Sequence, residues 1–166
     1  MESDSDEYLQ AKKYALRRLS LQAVLSNKLA RSLRDRLVSE ETVERVIKDL
    51  TALGLLNDDE WSASFVRQQT RRKMGPRAIA QKLANKGIRG EGLNKALEGV
   101  GAASEQEAAV DQLLETRYRK RDLSDPKERQ KVIASLIRRG FDFSLILQKI
   151  KQRDHLIAFD DCNCEF

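Results

Sequence analysis

The sequence predicts an all-α protein built from tandem three-helix repeats, about nine helices in three repeats. Three observations lead there. Charged residues make up 34% of the 166-residue chain and aromatics only 5%, with two prolines and eight glycines; this favours helices rich in Leu, Ala, Lys, Arg and Glu over a β-sandwich. Three stretches align without a gap: "LARSLRDRLVSEETVERVI" from Leu29, "IAQKLANKGIRGEGLNKAL" from Ile79 and "VIASLIRRGFDFSLILQKI" from Val132. Their apolar positions coincide: Leu29, Leu33, Val38, Val43, Ile47; then Ile79, Leu83, Ile88, Leu93, Leu97; then Val132, Leu136, Phe141, Ile146, Ile150. Each set is two i,i+4 pairs around an inward-pointing corner residue, the pattern of two short helices packed across a tight turn. Thirdly, one further amphipathic helix precedes each pair.

Residues 1–7 are acidic and expected to be disordered. Repeat 1 covers 8–56 and opens with "YLQAKKYALRRLS", whose stripe is Tyr8, Ala11, Ala15 and Leu19. Its corner carries Leu37 where the other repeats carry glycine, so it is expected to close differently, with Ser39 as N-cap and Thr42 at the capping-box position. Gly54 and Asn57-Asp58 punctuate its end.

Repeat 2 covers 57–101. Its first helix, "DDEWSASFVRQQTRRK", puts Trp61, Phe65 and Gln68 on one stripe. An aromatic pair at this spacing reads as core packing in preference to a base-stacking platform. "NDDE" at Asn57 to Glu60 reads as an N-cap with an acidic first turn in preference to a metal site. Gly75 is expected to end this helix where a positive φ is tolerated, and Pro76 to open the next at a position where its missing N–H is harmless. Gly87, preceded by Lys86, closes the corner, and "EGVGAAS" from Glu98 to Ser104 marks the next boundary.

Repeat 3 covers 102–153, with Ala109, Leu113 and Tyr118 on its first helix and Arg139-Gly140 at its corner. A unit of roughly fifty residues is not expected to hold a core alone, so neighbouring repeats are expected to share one. Residues 154–166 form a tail holding His155, Cys162 and Cys164. A Cys-x-Cys pair offers two of the four ligands of a structural zinc site, so these read as exposed thiols and no metal is expected.

The net charge of +5 is unevenly spread. From Arg67 to Lys95, nine Lys and Arg face the single acid Glu91, whereas elsewhere 22 basic residues face 25 acids. Basicity thus belongs to one segment, whose field attracts phosphate backbones or an acidic protein surface. The candidate contact residues are Arg67, Arg71, Arg72, Lys73, Arg77, Lys82 and Lys86, joined by Arg138 and Arg139 at the matching corner of repeat 3. Nothing points to catalysis: there is no Gly-x-x-x-x-Gly-Lys loop for nucleotide phosphates, and neither cysteine has a nearby histidine in sequence. No cofactor is expected. No apolar run approaches the roughly 20 residues that span a bilayer, and the N-terminus is acidic where a secretory signal is basic and then apolar. A cytoplasmic location with no membrane partner is expected.

The ordered block "LGLLNDDEWSASFVRQQTRRKMGPRAIAQKLANKGI" from Leu53 to Ile88, with "LIRRGFD" from Leu136 to Asp142, resembles the RecX family of bacterial recombinase regulators. The resemblance runs from about Tyr8 to about Arg153 and is weaker in repeat 1, where "VLSNKL" keeps Ser26 and Leu29 but places Lys28 at an acidic position. It implies an elongated, curved, monomeric, non-enzymatic protein that binds the RecA filament on single-stranded DNA, lies in its helical groove, and hinders ATP hydrolysis, strand exchange and repressor co-cleavage. The rival is a stand-alone basic helical protein that binds single-stranded or duplex DNA through phosphate contacts. The third helices begin "SEETVERVI", "RGEGLNKAL" and "DFSLILQKI", poor material for a groove-reading helix, which should present basic and amide side chains at its N-terminal end.

Overall fold

The computed structural model describes the backbone from Glu2 to Cys162 and side chains from Ser5 to Arg153. The described residues form nine helices and no strand. In chain order they are α1 (Glu2–Leu21), α2 (Ser26–Arg34), α3 (Glu40–Ala52), α4 (Asp58–Arg71), α5 (Pro76–Asn85), α6 (Gly90–Leu97), α7 (Ala103–Thr116), α8 (Pro126–Arg138) and α9 (Phe143–Cys162). The chain divides into two compact units, Met1–Phe65 and Val66–Phe166.

In the first unit α1 and α2 both pack on α3. The core joins Ala11 and Ala15 of α1 to Leu29 and Leu33 of α2 and to Val43, Val46 and Leu50 of α3, with Leu56 beneath. The two alanines carry no bulk beyond Cβ, so α1 lies close to α3, with Tyr8 and Leu19 flanking the contact. A fully buried leucine such as Leu29 or Leu33 contributes about 1.5–3 kcal/mol over leaving it exposed.

The acidic start departs from expectation, being helical from Glu2. No glycine or proline interrupts it, and carboxylates favour a helix N-terminus. Glu7 also anchors it: its carboxylate accepts from the Ser39 N–H at 3.1 Å, the Ser39 hydroxyl at 2.5 Å and the Thr42 hydroxyl at 2.8 Å. These bonds, the Ser39 hydroxyl's first, hold Glu7 below the usual carboxylate range. Ser39 is the N-cap of α3, but its side chain does not cap the helix; it is turned to Glu7 instead.

The repeat 1 corner also departs from expectation, closing as the other two do. Leu37 has φ 61°, matching the positive φ of Gly87 and Gly140. The same two bonds close each corner: Leu37 to Arg34 O and Val38 to Leu33 O, Gly87 to Ala84 O and Ile88 to Leu83 O, Gly140 to Ile137 O and Phe141 to Leu136 O. Leu37 gains no burial from this, being 93% exposed, and bears the steric cost of the left-handed region.

In the second unit α5 packs with α6, and α7 and α8 with α9. Repeat 3 has its own core of Val110, Leu113, Leu114, Tyr118, Leu123, Val132, Leu136, Phe141, Ile146 and Ile150. The cores of repeats 1 and 3 each draw on one repeat only, in contrast to the shared core expected, because all three helices of each contribute inward residues. Repeat 2 is thinner: Ile79, Leu83 and Ile88 are buried, while α6 buries no residue. On α4 the buried face is Ser62, Val66 and Gln69, one position on from the expected Trp61, Phe65, Gln68 stripe. Trp61 and Phe65 are half-buried and stacked on each other, with ring centroids 5.3 Å apart.

Helix α9 continues to Cys162, where a tail was expected from residue 154, since neither glycine nor proline stops it. The side chains of His155, Cys162 and Cys164 lie outside the described residues.

Candidate functional site

The two motif blocks of repeats 2 and 3 meet at one junction. The left-handed residue that closes α4 is Lys73, not Gly75: Lys73 has φ 56°, its N–H bonds Thr70 O, and the Met74 N–H bonds Gln69 O. Gly75 instead has extended geometry (φ −75°, ψ 162°) as the N-cap of α5. It is needed for another reason: a Cβ there would lie 2.4 Å from the backbone oxygen of Gly140, and one on Gly140 would lie 2.3 Å from the backbone nitrogen of Ala78. Two backbones thus touch where neither residue has a side chain. The Gly75 N–H donates to Arg139 O at 2.7 Å across the contact.

The surrounding residues finish the joint. The Arg139 guanidinium donates to Arg72 O at 3.2 Å and Lys73 O at 3.3 Å, capping the carbonyl end of α4 with a cation. Arg77 pairs with Asp142 at 2.5 Å, and Asp142 also accepts from the Ser144 N–H at 2.9 Å, capping α9. The Ser144 bonds foremost, with Arg77 adding charge, hold the Asp142 carboxyl below the usual range. Both members of the Arg77–Asp142 pair are substantially exposed, so the pair is worth no more than about 1 kcal/mol. Phe141, between these groups in sequence, is buried.

The predicted contact residues are therefore partly gathered. Arg72, Lys73, Arg77 and Arg139 meet at this junction, drawn from the end of α4, from α5 and from the end of α8, with Arg71 and Arg138 next to them in sequence. Arg71, Arg72, Arg77 and Arg138 are exposed, while Lys73 and Arg139 are half-buried. Three others lie apart. Arg67 is one turn back on exposed α4, Lys82 bonds the buried Gln69 side chain at 2.7 Å, and Lys86 is at the far end of α5, about 15 Å along a ten-residue helix. Charge counting along the chain missed a second cationic feature: Arg138 also borders a cleft of about 490 Å³ with Arg117, Arg121 and Lys131. Glu128 neutralises part of it through Lys131 and Arg121, at 2.7 and 2.6 Å.

Such an arrangement presents forked donors to oxyanions and holds no aligned nucleophile and base. The acids at Asn57–Glu60 are used structurally. Asn57 Oδ1 accepts from the Glu60 N–H at 2.9 Å, and Asp58 accepts from the Ser26 N–H at 2.8 Å, capping both α4 and α2. Among the described residues no cluster of His, Cys, Asp or Glu is placed to hold a metal, and no helix is long and apolar enough to cross a membrane. The third helices open with Glu40-Glu41, Gly90-Glu91 and Phe143-Ser144, which is the wrong chemistry for base readout.

Tandem three-helix repeats, the second and third in contact at a pair of glycines, define an all-helical repeat protein. Residues 57–97 match the model of the RecX second three-helix domain, and residues 104–150 that of the third. The chain is similar to the "Regulatory protein RecX" of Mycobacterium leprae (strain Br4923), 34% identical over 152 residues spanning 89% of this chain and 88% of that one. It is likewise similar to its namesake in Mycobacterium ulcerans (strain Agy99), 34% identical over 80% of this chain and 78% of that one. Among solved structures, RecX from Lactobacillus salivarius superposes with a TM-score of 0.78 at 26% identity, covering 90% of this chain and 98% of that one. A second crystal structure, of a regulatory protein RecX, gives 0.76 at 28% identity, covering 90% of this chain and 74% of that one. The chain belongs to the RecX family of regulatory proteins.

Proposed function

We propose that this protein binds the RecA filament on single-stranded DNA and inhibits its ATPase, strand-exchange and co-protease activities without catalysing a reaction of its own. The observation that supports this reading, beyond family membership, is the junction of repeats 2 and 3. There, Arg72, Lys73, Arg77 and Arg139 meet, flanked in sequence by Arg71 and Arg138, and Asp142 pairs with Arg77. Such a surface suits a filament whose DNA supplies phosphates and whose protein supplies acidic side chains. Arg67, Lys82 and Lys86 extend it along α4 and α5.

The test is a titration into preformed filaments. Substoichiometric protein should depress the DNA-dependent ATPase, and reversing Arg71, Arg72 and Lys73 to Glu should weaken the effect several-fold and flatten its salt dependence, with helical circular dichroism retained. A plain DNA-binding protein acts only at DNA-coating amounts and only when added first. That result would refute the filament reading.

A further inference from the structure

Repeat 1 carries a cationic cleft outside the basic segment. Helix α1 presents Tyr14, Arg17, Arg18 and Leu21 on one side, with Gln22 just after it, and the α2–α3 corner sets Arg36 opposite, enclosing about 530 Å³. Arg36 lies over the Tyr14 ring, 4.0 Å from its centroid, and Arg18 donates to the Tyr14 hydroxyl at 2.8 Å. Two guanidiniums thus share one phenol while the exposed Arg17 lines the same cleft, and among the described residues none of the three pairs with a carboxylate. The Arg18 Nε–H is buried and has no acceptor. Like charges gathered without an acid repel, so an anion arriving at the exposed Arg17 and Arg36 relieves the arrangement.

We propose that this cleft binds the backbone of single-stranded nucleic acid. Phosphate oxygens meet the forked donors of Arg17 and Arg18, which match oxyanion geometry. A base covers the planar Arg36 guanidinium and Leu21, which is 80% exposed at the rim. The exposed apolar and planar groups favour a strand with unpaired bases over a duplex, whose bases are stacked away. Counting charge along the chain does not single out Arg17, Arg18 and Arg36, because Arg36 lies 18 positions beyond Arg18 and the three are gathered only by the fold. The site does not rest on the filament reading, since it is tested on naked oligonucleotide.

The experiment is fluorescence anisotropy of the full chain with a labelled oligothymidylate of about 16 nucleotides across a salt series. Replacing both exposed arginines (R17Q/R36Q) should weaken binding about tenfold, through one lost phosphate contact and one lost stacking platform, and make the salt slope shallower by about 0.7, the value for one phosphate contact on a single strand. R36K should keep the slope but still lose affinity, because an ammonium does not stack as a guanidinium does. Unchanged affinity and slope in R17Q/R36Q overturns the proposal; should that variant melt early, wild-type affinity in R36K overturns it. Displacement of the oligonucleotide by a polyglutamate peptide at equal charge concentration overturns it in favour of an acidic protein segment.

Discussion

Replacing Gly140 with alanine adds one methyl group where its backbone lies against the first turn of α5. Two costs arise. The residue sits at φ 90°, where an L side chain is strained by about 1–2 kcal/mol, offset by about 0.4–1 kcal/mol from the stiffer unfolded chain. The new Cβ would also lie 2.3 Å from the Ala78 nitrogen and 2.6 Å from its Cβ, contacts with the first turn of α5 that no rotamer change relieves. Overpacking of that kind costs about 1–3 kcal/mol, so the total is about 2–4 kcal/mol. For a chain of this size that lowers the melting temperature by roughly 5–15 °C. Gly54→Ala is the matched control, having φ 69° and nothing within 4 Å of its added Cβ, so it bears the strain alone and should shift by only a few degrees. Circular dichroism melts of the two variants measure the difference. If Gly140→Ala melts with Gly54→Ala, the close approach of Gly75 and Gly140 is not what holds repeats 2 and 3 together.

Leu37→Gly should stabilise the protein by about 0.5–1 kcal/mol, since it removes left-handed strain from a side chain that is 93% exposed, less the entropy glycine adds to the unfolded chain; a urea titration checks this, and a lowered midpoint refutes it. Glu7 is held below the usual carboxylate range by Ser39 and Thr42, so its contribution is present above the unfolded pKa and lost as pH falls through the folded one. The stability gap between wild type and Glu7→Gln should therefore be widest near neutral pH and close in acid, and a gap constant with pH would contradict the assignment.

The local part of this architecture was legible in sequence. Two i,i+4 pairs around a corner need only residues within one repeat, so Leu29, Leu33, Ile79, Leu83, Val132 and Leu136 could be placed inward from spacing, and all six are buried. The left-handed corners at Gly87 and Gly140 followed from glycine's freedom at positive φ. The same rule misplaced Gly75 and missed Leu37 and Lys73, because backbone strain can be borne by a non-glycine residue when the surrounding bonds over-determine the turn. The α4 stripe was misjudged for a related reason: the apolar bulk of Trp61 and Phe65 outweighed Ser62 and Gln69 in any hydrophobic pattern, yet packing buried the smaller and more polar face.

The basic segment was equally visible, since charge adds along a chain whatever its fold. Which of its cations converge was decided only in three dimensions. Arg77 meets Asp142 across 65 positions and Arg139 meets the α4 carbonyls across 66 and 67, separations at which no periodicity carries information. The Tyr14, Arg18 and Arg36 cluster shows the same limit at shorter range. Its three residues are spread over 23 positions, and only the turn after α2 swings Arg36 over the α1 tyrosine. Secondary structure is written in neighbours a few residues apart, whereas a binding surface depends on which helix faces the folded chain brings together.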